Sequence, residues 1–269
     1  MVSSAVEKIH DEQIMPILRA QGVSVDYSRR GVRMKALDDV SLDVRPGETV
    51  GLIGESGSGK TTLSRVLLGL LRPRSGTVLF QGTDIYQIRN DARHRFLGGV
   101  TSMVFQDPRS SLNSRLSVSA VIADPLRVQR IGDRDSQRET VRNLLESVGL
   151  SPSIGSRPVR SLSGGQLQRV AVARALAVKP SVIVADEPTS ALDVSVQAQI
   201  LNLLRSLKES ADLSFLLISH DMRAIRFLAD RTAVMYGGTI VEEGDTTQVC
   251  EEPNHDYTRS LLAAAPSMF

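Results

Sequence analysis

A glycine-rich segment between a strand pattern and a helix pattern constrains the fold of this chain more than any other feature of its sequence. Residues 54–61 read Gly-Glu-Ser-Gly-Ser-Gly-Lys-Thr. The residues before them, Thr49 to Ile53, form an apolar run typical of a buried parallel strand. After them, apolar residues at helical spacing predict a core-facing helix, and this stripe comprises Leu63, Val66, Leu67, Leu70 and Leu71.

Strand, glycine-rich turn and helix together are the context of a phosphate-binding loop. Glycines let backbone N–H groups turn toward phosphate oxygens, and the helix N-terminus adds partial positive charge. A chance match in a chain this long has a probability on the order of one per cent. We therefore predict that a nucleotide binds at Gly54, Glu55, Ser56, Gly57, Ser58, Gly59, Lys60, Thr61 and Thr62. Lys60 can reach the β- and γ-phosphates, and the Thr61 hydroxyl suits Mg²⁺.

The composition and charge of the chain argue against several classes of protein. The 269 residues carry a formal net charge of only +2, which disfavours a nucleic-acid binder. The single cysteine, Cys250, excludes an internal disulfide, and with four histidines a zinc or iron–sulfur cluster is not expected. The first fifteen residues lack the apolar core of a secretory signal, and no apolar run is long enough to span a bilayer.

The order of patterns predicts an α/β fold with a mainly parallel sheet. Buried strands are predicted at 182–185 and 215–218, each close to a helical pattern. Alternating segments before residue 45 predict antiparallel strands. Between Gln106 and about Arg160 strand signals are absent and a helical stripe occurs, so we predict a small helical insertion. The arginines at 89, 93 and 95 are expected to form a solvated face.

Two carboxylates follow the predicted strand at 182–185. Asp186 and Glu187 should lie at the carboxyl edge of the sheet, where ligands bind in open α/β folds. Asp186 could hold Mg²⁺ through water, and Glu187 could accept a proton from an attacking water. Alternatively, Asp186 is an acidic helix cap.

Four other positions are candidate site residues, each with a structural alternative. Ser163, with Gly164, Gly165 and Gln166, opens a predicted helix as a second anion site or as an ordinary N-cap. His220 could contact a γ-phosphate or be a hydrogen-bonded core histidine. Tyr27 could stack on adenine or simply pack in its strand. Gln106 could sense the γ-phosphate or the metal.

In order and spacing these segments resemble the ATP-binding subunit of ABC transporters over nearly the whole chain. Residues 54–61 match the Walker A loop, 162–166 the LSGGQ signature and 182–187 Walker B. Gln106 matches the Q-loop glutamine, 190–193 (ending at Asp193) the D-loop, and His220 the switch histidine. Tyr27 falls where this family has its adenine-stacking aromatic residue.

The resemblance implies a P-loop NTPase (RecA-like) core with an antiparallel β subdomain and an inserted helical subdomain. It divides the chain into a loose leader (1–16), an ATPase domain (17–248, with the helical subdomain at about 106–162) and a tail (249–269). It implies ATP and Mg²⁺ as ligands, with Thr61, Gln106 and Asp186 near the metal. Two ATPase domains would pack head to tail, so that Ser163 to Gln166 and Asp193 of one chain face ATP held by the other.

Two stretches are similar to the importers of dipeptides, oligopeptides and nickel: residues 103–113 and the tail segment 253–262. Ser114, Asp256 and Arg160-Ser161 depart from that branch's pattern. The implied partners are two integral-membrane permease subunits, a second ATPase subunit (a different chain or a second copy) and, indirectly, an extracytoplasmic solute-binding protein. Nucleic acid is not an expected partner. The implied location is peripheral, on the cytoplasmic face of the inner membrane.

A soluble ABC ATPase, associated with translation or with iron–sulfur cluster assembly, is the alternative. The translation-associated kind usually joins two ATPase domains in one chain, whereas this chain has one phosphate loop. The motifs leave the transported solute open.

Overall fold

The computed structural model describes residues 15–29, 32–211 and 213–264. Most of the predicted leader at 1–16 lies outside the described residues. The strands are β1 (Leu18–Arg29), β2 (Val32–Val44), β3 (Thr49–Ile53), β4 (Ser75–Phe80), β5 (Thr83–Asp84), β6 (Thr101–Val104), β7 (Val182–Asp186), β8 (Ser214–Ile218), β9 (Arg231–Tyr236) and β10 (Thr239–Asp245).

The helices are α1 (Lys60–Leu67), α2 (Asn90–Val100), α3 (Pro108–Ser111), α4 (Val118–Gln129), α5 (Arg134–Ser147), α6 (Gly164–Leu176), α7 (Val194–Ala211), α8 (Met222–Leu228), α9 (Thr246–Glu251) and α10 (Asp256–Ala264). Two 3₁₀ turns lie at Pro152–Ser156 and Val159–Ser161. No helix in the described ranges is both long enough and apolar enough to cross a membrane.

A six-stranded sheet forms the centre of the molecule, in the order β10-β9-β3-β8-β7-β6. Neighbouring strands from β9 to β6 are parallel, and β10 pairs antiparallel with β9. Leu52 of β3 and Asp186 of β7 both lie opposite Ile218, the last residue of β8. The carboxyl ends of these three strands therefore meet at one edge, and the loops that follow them are neighbours.

Side chains of the central strands alternate between two apolar cores, as the two-residue period of a strand requires. Val182 and Val184 pack toward α1 and the second sheet, whereas Ile183 and Ala185 pack toward the helices between β6 and β8. The strands are buried on both faces, which explains their unbroken apolar sequences.

The second sheet is antiparallel, in the order β2-β1-β4-β5. It packs on the side of the central sheet that carries α1. Arg231, in β9, joins the two sheets because its guanidinium bonds to Glu48 and Glu243 and lies 3.5 Å from the Asp43 carboxylate. The fold class predicted from the sequence is confirmed: a mainly parallel sheet, an antiparallel sheet, and the helices α3 to α5 inserted between β6 and β7.

Two local predictions are wrong. Leu70 was expected on the buried stripe, but α1 ends at Leu67 and the Leu70 side chain is 58% exposed. Arg93 was expected on a solvated face, yet it is buried in α2, where it donates to Asn90 and lies over the Tyr86 ring. A long arginine stem can cover apolar surface while its guanidinium finds polar and aromatic partners, so charge alone did not predict its exposure.

Candidate active site

The loop between β3 and α1 has the backbone that the glycine pattern predicted. Gly54 and Gly59 have positive φ angles, and a Cβ at either position would lie 2.1 Å or 2.7 Å from a backbone carbonyl oxygen of Met235 or Ala36. Gly57 also has a positive φ, but a Cβ there would meet nothing within 4 Å. Gly54 and Gly59 therefore let the loop pack closely against Met235 and Ala36, whereas the space beside Gly57 is open.

Lys60 is the first residue of α1 and its side chain is buried. Its ammonium donates to the carbonyl oxygens of Gly54 (2.7 Å) and Glu55 (2.8 Å), and lies 3.4 Å from the Ser58 hydroxyl. Burial lowers the pKa of Lys60 below its ordinary value, although the carboxylates of Glu187 and Asp186 oppose that shift. The lysine thus lies inside the loop as a positive charge whose present partners are neutral.

Asp186 is the last residue of β7, and its carboxylate is buried. Burial and the nearby Glu187 raise its pKa, whereas Lys60 and a hydrogen bond from Thr61 act in the opposite direction. Thr61, in the first turn of α1, and Asp186 are therefore in contact although 125 positions separate them in the sequence. Both supply hard oxygen ligands.

Glu187 lies at the centre of the group predicted to be catalytic. Its Oε2 accepts a hydrogen bond from the Gln106 side-chain amide (2.7 Å), and its Oε1 lies 3.1 Å from Nδ1 of His220. Gln106 follows β6, Glu187 follows β7 and His220 follows β8. Three adjacent strands of the sheet thus bring these residues together at the edge beside Asp186.

The backbone at Glu187 is unusual, because its φ of 46° lies in the left-handed region. This conformation is uncommon for a residue other than glycine. The Glu187 N–H donates to the Ile218 carbonyl (2.8 Å), and its own carbonyl accepts from the backbone and hydroxyl of Ser190. These bonds hold the strained turn that aims the carboxylate between Gln106 and His220.

The segment at the start of α6 has the N-cap structure that was its alternative interpretation. Gln166 N–H donates to the Ser163 hydroxyl (3.4 Å), and Ser163 N–H donates to the Gln166 side-chain oxygen (3.2 Å), forming a capping box. Ser163 is exposed. Among the described residues, no hydrogen bond joins Ser163 or Gln166 to the Gly54–Thr61 loop.

Gly164 and Gly165 bring the start of α6 close to α7. A Cβ on Gly165 would lie 2.7 Å from Val196, and one on Gly164 would lie 3.4 Å from Leu192. Asp193 precedes α7, where its carboxylate accepts hydrogen bonds from the Ser195 hydroxyl and the Val196 N–H. These bonds lower the pKa of the exposed Asp193 carboxyl. The segments 163–166 and 190–193 thus form one surface, on which Ser163, Ser190 and Asp193 are exposed.

Tyr27, in β1, is 40% exposed, and its hydroxyl lies 3.5 Å from that of Thr62 in α1. The tyrosine therefore lies beside α1, and its side chain is partly exposed. One contact of the loop was not predicted. The Glu55 N–H donates to the hydroxyl of Tyr257, in α10, at 3.0 Å. No local pattern signals this pair, because the residues are 202 positions apart; the only hint is the tail motif that contains Tyr257.

The residues present fit ATP and Mg²⁺. The space beside Gly57 is open, and the N-cap of α1 is Gly59, which supplies no side-chain cap, so the first N–H groups of the helix face an anion site. Lys60 is a buried cation held by neutral carbonyls. Thr61 and Asp186 are oxygen ligands of the kind Mg²⁺ prefers.

Comparison with known proteins gives a consistent set of similarities. Residues 37–190 match the ABC transporter family (ABC_tran). A Brucella ovis protein, provisionally named a peptide import ATP-binding protein, is 42% identical over 252 residues, which are 94% of this chain and 79% of that protein. The Bacillus subtilis oligopeptide transport ATP-binding protein AppF is 41% identical over 240 residues, which are 89% of this chain and 73% of AppF.

Two solved structures of ABC transporter components have the same fold. The dimeric cassette MJ0796, in a post-hydrolysis state bound to ADP and Pi, superposes with a TM-score of 0.78 at 29% identity. That match covers 85% of this chain and 98% of the other. The protein cbiO1 of Clostridium perfringens, part of the transporter complex cbiONQ, superposes with a TM-score of 0.79 at 30% identity, covering 88% and 91% of the two chains.

Proposed function

Because this chain belongs to the ABC transporter family, as one of its ATP-hydrolysing subunits, we propose that it powers the import of peptides across a membrane. The geometry that supports ATP hydrolysis is the Glu187 carboxylate held between Gln106 and His220, beside a phosphate-binding loop. Peptides are favoured over a nickel-like solute because the relatives are named for peptide or oligopeptide transport.

The loop residues and the start of α1 bind the nucleotide phosphates in this proposal. Backbone N–H groups between Ser56 and Thr62 surround the β- and γ-phosphates, and the Lys60 ammonium exchanges its loop carbonyls for phosphate oxygens. Ser58 supports Lys60, and the Tyr27 ring stacks on the adenine. Thr61 and Asp186, with Gln106 nearby, would hold Mg²⁺, which neutralises charge on the phosphates when bound.

Glu187 is the general base for the attacking water. Its carboxylate takes the proton as the water oxygen attacks the γ-phosphorus and the bond to the ADP oxygen breaks. Gln106 orients the carboxylate from one side, and His220 fixes the γ-phosphate geometry from the other. Hydrolysis of this kind depends mainly on positioning and charge neutralisation, which a carboxylate held by two side chains and a strained backbone supplies.

The second half of the site comes from another ATPase subunit. Ser163 to Gln166 and Asp193 lie on one exposed surface whose side chains bond among themselves rather than to this chain's own phosphate loop. Packing head to tail would place that surface against ATP held by the partner. The dimeric cassette MJ0796 with ADP and Pi supports this arrangement. ATP then closes the dimer, and hydrolysis reopens it.

Permease subunits in the membrane are the proposed partners that convert this cycle into transport. A cleft of about 170 Å³ lies between the end of β6 and the inserted helices, lined by Met103, Phe105, Leu112 and Pro125 among others. Phe105, 41% exposed, directly precedes Gln106, so a permease segment seated there would be coupled to the catalytic group. The chain is then peripheral on the cytoplasmic face of the inner membrane, and an extracytoplasmic binding protein delivers the peptide to the permease.

The alternative, a soluble ABC ATPase, lacks support, since the named relatives are transport proteins. The experiment that separates the two is affinity purification of the full chain from detergent-solubilised membranes, with mass spectrometry of every co-purifying protein. We expect two permeases and an ATPase, either a second chain or further copies of this one. Recovery only from the soluble fraction, with ribosomes or cluster-assembly factors, would contradict the importer.

A further inference from the structure

The chain's tail forms an ordered element against the core. Helix α10 packs Tyr257, Leu261 and Leu262 on the apolar cluster that contains Ile53 and Val234. The Tyr257 ring lies against Tyr236, with ring centroids 4.2 Å apart. Tyr236 ends β9, so this pair joins the tail to the central sheet next to the strand that leads into the phosphate loop.

A set of polar contacts fixes the turn before α10. The buried Glu242 carboxylate, in β10, accepts the N–H groups of Asn254 (2.7 Å) and His255 (3.1 Å). The His255 ring nitrogen Nδ1 in turn accepts the Tyr257 N–H (3.1 Å). Arg259 donates to the carbonyls of Pro253 and Asn254. The tail motif at 253–262 thus determines where the Tyr257 hydroxyl points.

That hydroxyl accepts the N–H of Glu55, the second residue of the phosphate loop, at 3.0 Å. The carbonyl of the same residue accepts the Lys60 ammonium at 2.8 Å. Glu55 is therefore held from both sides, by Tyr257 through its N–H and by Lys60 through its C=O. When Lys60 turns to phosphate oxygens, the Glu55 carbonyl still accepts the Ser58 N–H within the loop (3.2 Å), and the bond to Tyr257 still holds Glu55 from outside the loop.

We propose that Tyr257 is a positioning residue for nucleotide binding, which keeps the first half of the phosphate loop in its binding conformation. This inference rests on the proposed function, because it concerns the same ATP site. The Glu55 side chain is exposed, so water can reach the Glu55 N–H when Tyr257 releases it, and the loop then samples other conformations. A binding-competent state that is only partly populated weakens the apparent affinity by that fraction.

The test is Tyr257→Phe, which removes the hydroxyl and keeps the ring on Tyr236. From the net value of one hydrogen bond, we expect roughly two- to tenfold weaker binding of a fluorescent ATP analogue by the full chain. In the membrane complex KM for ATP should rise while kcat is retained, because Tyr257 touches none of Gln106, Glu187 and His220. Amide hydrogen exchange at residues 54–58 should accelerate, with the unfolding temperature unchanged.

The matched control is Tyr236→Phe, which removes the neighbouring hydroxyl but leaves the ring pair; ATP affinity should match wild type. Wild-type ATP affinity in Tyr257→Phe would overturn the inference while the proposed function stands. So would equal weakening in both variants, or weakening that merely follows a lowered unfolding temperature. A wild-type chain that fails to bind ATP would overturn the proposed function, and this inference with it.

Discussion

The backbone of Glu187 takes part in the sheet, while its side chain belongs to the catalytic group. Its N–H continues the pairing of β7 with β8, while its left-handed φ turns the carboxylate toward Gln106 and His220. Conformations of this kind cost about 1–3 kcal/mol and persist where the surroundings hold them. The cost falls on the residue that we propose as the base, which suits a preorganised catalytic group.

Glu187→Gln keeps the side-chain shape and removes the basic oxygen. We expect turnover to fall roughly 100- to 10,000-fold, the usual contribution of a general base. ATP affinity should persist because Glu187 lies outside the phosphate loop. Equilibrium nucleotide binding and phosphate release on the same sample check both points, and Lys60→Ala is the contrasting variant, expected to weaken binding itself. Wild-type turnover in Glu187→Gln would remove this residue from the role of base.

The sequence predicts the positions of some residues of the site but not the contacts of others. Gln106, Asp186, Glu187 and His220 lie at or just after the carboxyl ends of strands recognisable from their sequences, so their meeting at one sheet edge was predictable. Arg93 was not, because its charge gives no sign that the Tyr86 ring and the Asn90 side chain are placed to receive its guanidinium. Tyr257 was not, because its bond to Glu55 joins residues 202 positions apart.

At the scale of elements, the contact between the start of α6 and the start of α7 depends on a missing side chain. Gly165→Ala would place a Cβ 2.7 Å from Val196, a short branched side chain with little freedom to move. We expect a loss of about 1–3 kcal/mol in the free energy of unfolding, as for other overpacked cores. Gly164→Ala is the matched control, because its Cβ would make an ordinary 3.4 Å contact. Equal stability of the two variants in urea unfolding would contradict this account.

The docking of α10 should depend on Glu242. Replacing it by Gln weakens two charge-assisted hydrogen bonds. We expect a loss of roughly 1.5–3 kcal/mol in the free energy of unfolding, together with faster hydrogen exchange at Asn254 and His255.

The stability that Glu242 contributes should also depend on pH. Burial raises the pKa of Glu242, but hydrogen bonds to the carboxylate outweigh that effect and leave the pKa below the ordinary 4.5. This stabilisation is therefore complete above pH 4.5 and is lost as the pH falls through the lowered value. Glu242→Gln should accordingly flatten the acid limb of stability against pH; an unchanged limb would contradict this prediction.

Elements were predictable to the extent that their sequences show a clear period. The buried strands β3, β7 and β8 have unbroken apolar runs, and α6 and α7 have strong helical stripes. Helix α2 was missed, because its buried face consists of only Arg93 and Leu97. The expected stripe after Thr61 continued past the true end of α1, since Leu70 keeps the spacing although the helix has ended.

For the whole molecule, the chain contains both the phosphate loop and the surface formed by residues 163–166 and 190–193. In the described ranges no hydrogen bond joins Ser163 or Gln166 to that loop. We therefore expect Glu187→Gln with ATP to double in mass by light scattering, alone or with the partner ATPase. Adding Ser163→Arg should abolish this association without changing ATP affinity in the monomer. A dimer that persists, or a monomer that loses ATP, would show that Ser163 does not act across an interface.

Peptide transport by the assembled complex tests the central claim most directly. Proteoliposomes would contain the co-purified permeases and ATPases, with this chain present either as wild type or as Glu187→Gln. The binding protein and labelled peptide would be on one side of the membrane, and Mg-ATP on the other. We predict ATP-dependent accumulation of peptide with the wild-type chain and strongly reduced accumulation with Glu187→Gln. No ATP-dependent accumulation with the wild-type chain, or equal rates with both, would contradict the account.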